Sequence, residues 1–129
     1  MFVADILFTL PVVILAVVAN KVVVTLSTVP GKLIDIHGEL GIPSCIKSLC
    51  EQTYQDYEIH FNIPHIYKLY NTEYVIPEWL DEFQSNYQHL KVFRTEDLGP
   101  PTKVIPTILR ETPDTLLIVV DDDLVYHPD

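Results

Sequence analysis

The sequence predicts an α/β fold on a mainly parallel sheet, and three observations carry that expectation. LLIVV at 116–120 is apolar, β-branched-rich and without polar alternation, the pattern of a strand covered on both faces of a parallel sheet. Strand-like and helix-like patterns alternate along residues 21–129. The stretches between successive strands are long enough for the crossovers that parallel pairing requires. At 129 residues the chain suits one domain, or a piece of one, with room for a proper core.

The first 20 residues, MFVADILFTLPVVILAVVAN, are apolar apart from Asp5, Thr9 and Asn20, and read as a signal or anchor-like segment. Its start has no Lys or Arg and carries Asp5, and Pro11 interrupts the run, while Val17 and Ala19 fit the small-residue pattern before a cleavage point. As an uncleaved span it is marginal, because crossing a bilayer core takes about 20 apolar residues. The expectation is membrane association or entry into the secretory pathway; the alternative is an extra apolar helix or strand packed on the domain of a cytoplasmic chain.

KVVVTLS at 21–27 is the first strand, followed by a loop at 28–31. In an α/β sheet the loop after the first strand commonly meets a nucleotide, which makes Thr25, Ser27, Thr28 and Pro30 candidates for that edge. Neither GxGxxG nor GxxxxGK[ST] occurs, so the usual dinucleotide and P-loop sites are excluded. Pro43 and Ser44 open a helix running through Cys45, Ile46, Leu49 and Cys50 to about Gln52. YEIHFNI at 57–63 alternates apolar and polar residues and predicts the second strand, with His60 on the polar phase as a surface residue. Residues 66–74, rich in Tyr, read as irregular; Tyr67, Tyr70 and Tyr74 suit either stacking on a base or covering a core edge.

Pro77 starts a helix with Trp79, Leu80, Phe83 and Tyr87 on one face, Trp79 and Phe83 being core. LKVFR at 90–94 is the third strand. DLGPPTKVIPTILR at 97–110 turns and then forms a helix with Val104, Ile105, Ile108 and Leu109 as its apolar positions. Lys103 falls near the start of that helix, where a cation opposes the helix dipole unless an anion lies nearby. Pro113 and Asp114 close the helix and lead into 116–120.

A net charge of −10 with only eight Lys and Arg argues against nucleic acid or anionic lipid surfaces as partners, since both need a basic footprint. Small phosphorylated ligands are compatible with it. Cys45 and Cys50 lack CxxC spacing and a nearby His in a ligand pattern, so they read as buried free thiols, set apart around a helix axis. The chemistry concentrates in Asp121, Asp122 and Asp123, delivered by the last strand to the strand end where ligands of open α/β sheets collect. Because side chains alternate in an extended segment, Asp121 and Asp123 project to the same side and Asp122 to the other. Two carboxylates on one side suit a hard divalent cation that bridges to phosphate.

The segments SLCEQTYQDYEIHFNIP, EDLGPPTK and VVDDDLVYHPD, taken with residues 21–30, resemble the family 2-like glycosyltransferases of GT-A fold over most of 21–129. The resemblance implies a Rossmann-like nucleotide-sugar-binding half in which Asp-x-Asp is the donor-site motif. Asp121 would lie near the ribose or the hydrated metal, Asp123 would ligate Mn²⁺ or Mg²⁺, and Thr25, Ser27 and Pro30 would border the base. Lys103 would add positive charge beside the diphosphate. The partners implied are a nucleotide-sugar donor and an acceptor the sequence does not identify. The family's usual acid after the second strand is replaced here by Asn62, Ile63 and Pro64. The family also continues into an acceptor-binding half that supplies the base of inverting members, so residues 21–129 read as a donor-binding half with no catalytic base assigned. The alternatives are a haloacid dehalogenase-like phosphatase, with Asp121 as nucleophile and Asp123 as acid/base, and a non-catalytic glycosyltransferase remnant.

Overall fold

The computed structural model describes residues 2–5, 20–34 and 41–129. Its centre is a parallel α/β sheet. Strand β1 is Phe2–Asp5, β2 is Lys21–Ser27, β3 is Glu58–Pro64, β6 is Leu90–Thr95 and β7 is Thr115–Val119. They lie in the order β1, β7, β2, β3, β6 with every neighbouring pair parallel. The connections carry helices α1 (Pro30–Ile34), α2 (Ile42–Cys50), α3 (Glu78–Asn86) and α4 (Ile105–Arg110), the last preceded by a 3₁₀ turn at Pro100–Lys103. The short strands β4 (Ile66–Tyr67) and β5 (Thr72–Glu73) form an antiparallel hairpin where an irregular stretch was expected. Apart from β1 and Asn20, the signal or anchor-like segment expected at 1–20 lies outside the described residues. Among the described residues no helix is long and apolar enough to cross a membrane.

The strand order follows from which strands must be covered. All five residues of β7 and the central residues of β2 and β3 are buried, so these strands occupy the middle of the sheet. Strand β6, half-exposed along its length, forms one edge. From β2 the chain steps outward to β3 and β6, then crosses back to place β7 on the other side of β2. That reversal parts the loops beyond β2 and β7 and leaves a crevice at their carboxyl ends.

The two faces of the sheet are built differently. On one, Val22, Val24, Leu26, Ile59, Phe61, Ile63, Leu116, Ile118 and Val120 pack with Ile42, Cys45, Ile46 and Leu49 of α2 and with Leu80 of α3. Leu80 is the fully buried residue of α3; Trp79 and Phe83, expected in the core, are half-buried at its margin, and Trp79 Nε1 donates to the Leu33 carbonyl at 3.1 Å. Cys45 and Cys50 are buried free thiols, as expected from their helical separation.

The opposite face is buried too, but mixes apolar Val23, Leu117 and Val119 with polar Thr25, His60 and Asn62. His60 is 1% exposed, which corrects its expected surface position: β3 does alternate, but α4 and the 3₁₀ turn cover its polar side. Asn62 Nδ2 donates to the Thr102 carbonyl at 3.1 Å and to Thr107 Oγ1 at 2.9 Å. Arg110 donates from Nη2 to Asn62 Oδ1 at 3.0 Å and lies 3.5 Å over the Phe93 ring. This polar surface also explains why α4 does not bury its expected apolar positions. Thr107 is fully buried because it can pair with Thr25 and Asn62, while Leu109 is 81% exposed.

Asn62→Ala would take one hydrogen-bond partner from Arg110 and one from Thr107, leaving them His60 and Thr25 respectively, and would remove the Asn62 bond to the Thr102 carbonyl. The expected cost is about 2–4 kcal/mol of unfolding free energy, read from urea denaturation; a loss below the effect of an ordinary surface substitution would contradict the network's role.

Candidate functional site

A cleft of about 930 Å³ opens at the carboxyl ends of the strands, beside the β2–β7 reversal. Four chain segments supply its charged residues. The loop after β2 brings Ser27, Thr28 and, from α1, Lys32; the stretch after β6 brings Asp97 and Lys103; the end of β7 brings Asp121 and Asp122. The β4–β5 hairpin adds Tyr67, Lys68 and Leu69.

Each segment is fixed by local bonding. Asp97, buried, accepts from the Lys68 N–H at 2.9 Å and the Gly99 N–H at 2.8 Å, tying the hairpin to the loop after β6. Gly99 has φ +71°, a left-handed conformation that glycine adopts without strain, and Leu98 N–H donates to Thr102 Oγ1 at 2.8 Å. Tyr74 is buried and donates its hydroxyl to the Thr28 carbonyl at 2.8 Å, so it braces the loop after β2 rather than offering a stacking face.

The acidic segment is held from behind. Tyr126 donates its hydroxyl to the Asp121 carbonyl at 3.1 Å and accepts from the Asp121 N–H at 3.0 Å. The Tyr126 N–H donates to Ser48 Oγ of α2 at 3.0 Å, and Gln52 and Thr53 donate to the carbonyls of His127 and Pro128. The last residues are thereby strapped along α2. Cys45 Sγ lies 3.5 Å from the Asp121 carbonyl, but burial pushes its thiol up to about 12, so it is not a nucleophile at neutral pH.

Four residues expected at the site line this cleft: Ser27, Thr28, Lys103 and Asp121. Thr25 lies beneath it, fully buried, with its hydroxyl bonded to the Lys103 carbonyl at 2.6 Å and to Thr107 at 2.8 Å. Pro30 is buried at the start of α1 and does not line the cleft. Asp123 is exposed and outside the lining. The expected pairing of Asp121 with Asp123 rested on extended backbone through residue 123. The strand ends at Val119 and the chain turns at 122–123, so of the three consecutive aspartates Asp121 and Asp122 are the ones on the cleft wall.

Sequence reasoning passed over Lys32, Lys68, Asp97 and Thr102. The available signal was positional: each lies within a few residues of a strand's carboxyl end, the place where ligands of such sheets gather. Three of the chain's eight Lys and Arg residues line this one cleft, an uneven distribution for a chain of net charge −10.

At the amino end of the sheet Glu58, His60 and Glu111 bring ligand-type atoms within 4.8 Å of one another. Their chemistry fits an ion-pair network better than a metal centre. Lys21 Nζ already lies 3.2 Å from Glu58 and 3.1 Å from Glu111, in the place a cation would take. Arg110 can only donate, so His60 Nδ1 accepts at 2.9 Å and the ring proton sits on Nε2, which donates to Glu58 at 2.7 Å. Burial, with the Arg110 charge, holds the His60 pKa below its ordinary value and keeps the ring neutral. Burial opposes the charge on Glu58, but hydrogen bonds from His60, Lys91 and Lys21 outweigh it and bring that carboxyl down to about 2.

The chain matches no family model, no curated protein and no solved structure.

The acid response of stability follows from those two shifts. Both pKa values are lower in the folded chain, so both contributions are present above the ordinary values, 6.5 for His60 and 4.5 for Glu58, and are lost as pH falls through the folded values. Melting temperature should therefore drop on acidification below pH 6.5, and Glu58→Gln should flatten the part of the curve between 4.5 and about 2. A wild-type profile flat throughout that range would refute it.

Proposed function

We propose that the chain binds a nucleotide-sugar donor through a divalent cation, as the donor-binding half of a GT-A-type sugar transferase. The observation that supports this most is the composition of one cleft wall: carboxylates from the β7 end and lysines from two other loops, gathered beside the strand-order reversal. Its volume, about 930 Å³, lies in the range of small-molecule sites. Mixed charge suits a ligand that arrives as an anion with its own cation.

The donor set of Asp121, Asp122 and Asp123 is all oxygen, which fits Mn²⁺ or Mg²⁺. Asp121 and Asp123 are the ligands the resemblance implies, and Asp122, which lines the cleft beside Asp121, is proposed as a further one. Such a cation, when bound, stabilises negative charge on the departing diphosphate. The chain's own residues do the rest of the binding. Lys103 and Lys32 attract the phosphates, Ser27 borders the ligand from the β2 side, and Thr25 acts indirectly by fixing the backbone at Lys103.

Calorimetric titration of UDP, GDP, ADP, CDP and dTDP with Mn²⁺ and with EDTA tests the reading. Binding of at least one nucleotide only with Mn²⁺, weakened about tenfold or more by Asp121→Asn, is expected. Metal-dependent binding of none of them to the folded chain would end it.

A further inference from the structure

Lys32 and Lys103, which face the cleft, are already engaged by acids of its own wall. Lys32 Nζ lies 3.0 Å from Asp122 Oδ1, and Lys103 Nζ lies 3.4 Å from Asp121 Oδ1. Asp122 also accepts from Thr28 Oγ1 at 2.6 Å on its other oxygen, and its side chain is only 16% exposed. The cations available to an anion are thus the counter-ions of the carboxylates available to a metal. The lysines themselves are 47% and 39% exposed on long flexible stems, so changing partner requires rotamer changes and no movement of the backbone.

We propose that the acidic turn is a built-in competitor for the cleft's lysines. An anionic ligand has to take Lys32 and Lys103 from Asp122 and Asp121, and a divalent cation, by occupying those carboxylates, frees the lysines for the anion. This rests on the reading of the cleft as a diphosphate site and adds a mode of control to it. The coupling has a definite sign: metal and diphosphate each bind weakly alone, and each strengthens the other through the lysine–aspartate pairs in addition to their direct contact. A partly exposed pair is worth up to about fivefold in an equilibrium constant, so releasing two should change anion affinity by about tenfold.

The test is inorganic pyrophosphate binding to the full chain in EDTA, where no metal can contribute. Asp121→Asn with Asp122→Asn should bind about tenfold tighter than wild type, the carboxamides preserving side-chain shape. The gain from Asp122→Asn should vanish in a Lys32→Met background. No gain, or a gain undiminished without Lys32, overturns the proposal, the second outcome being a general field effect. A reciprocal measurement needs no Asp variant: Lys32→Met, which frees Asp122, should bind Mn²⁺ alone more tightly by electron paramagnetic resonance, and unchanged or weaker binding also overturns it. These readouts separate from the nucleotide titration. Mn²⁺-dependent nucleotide binding in wild type without the metal-free gain sinks only the competition, whereas the gain without nucleotide binding sinks only the donor reading.

Discussion

The pairing of β7 with β2 is the constraint on which the rest of the structure depends. Their register, from Lys21 opposite Thr115 to Thr25 opposite Val119, continues one step further through the Val120 N–H to the Thr25 carbonyl at 3.1 Å. This places Asp121, two residues past the end of the strand, beside the loop that follows β2. Because β3 pairs with β2 on its other side, the chain between them leaves in the opposite direction, and a crevice opens where the two sets of loops part. Slipping the register by one residue would turn every side chain of β7 to the other face. The burial of all five β7 residues opposes that slip, so the position of the acidic turn is secured by packing well below it.

The polar face of the sheet has a separate role. An apolar contact between α4 and β3 would have held the helix as well, but Asn62, Thr25 and Thr107 fix it by direction as well as by burial. Buried hydrogen bonds tolerate little displacement, since a donor moved out of reach is left unpaired in a low-dielectric setting. The 3₁₀ turn is caught in the same network through the carbonyls of Thr102 and Lys103. Lys103 therefore enters the cleft from a backbone whose position the sheet sets, although its side chain stays free to swing.

The fold was legible because its main signals are local. The runs at 21–27 and 116–120 are apolar enough to be central strands wherever they pair, and Pro43 and Pro77 mark helix starts within a residue or two of where they fall. What could not be read depends on which surface covers which. His60 looked solvated because alternation shows that a face is polar without showing whether another element covers it. Leu109 looked buried because an apolar residue in a helix ordinarily faces a core, whereas α4 meets a face offering hydroxyl and amide groups. The site was legible as an acidic strand end and one lysine. Lys32 and Lys68 belong to it only through tertiary placement, and Asp123 left the wall because a strand's alternation lasts no longer than the strand.

Two groups of acids at opposite ends of the sheet show why proximity alone does not identify a cation site. At the amino end Glu58 accepts from Lys21, Lys91 and His60, and Glu111 shares Lys21, so each carboxylate already meets positive charge or a ring N–H. A metal there would have to displace an ammonium shared by two acids and also remove the proton from His60 Nε2. At the carboxyl end Asp121 has one lysine contact, at 3.4 Å, on a side chain that remains largely exposed. Asp121, which forms the looser contact, also borders the cleft, where under the proposed reading an incoming diphosphate would receive the displaced lysine. A carboxylate becomes available to a metal when its counter-ion has somewhere else to go, and among these acids Asp121 combines a loose ion pair with an adjoining cleft.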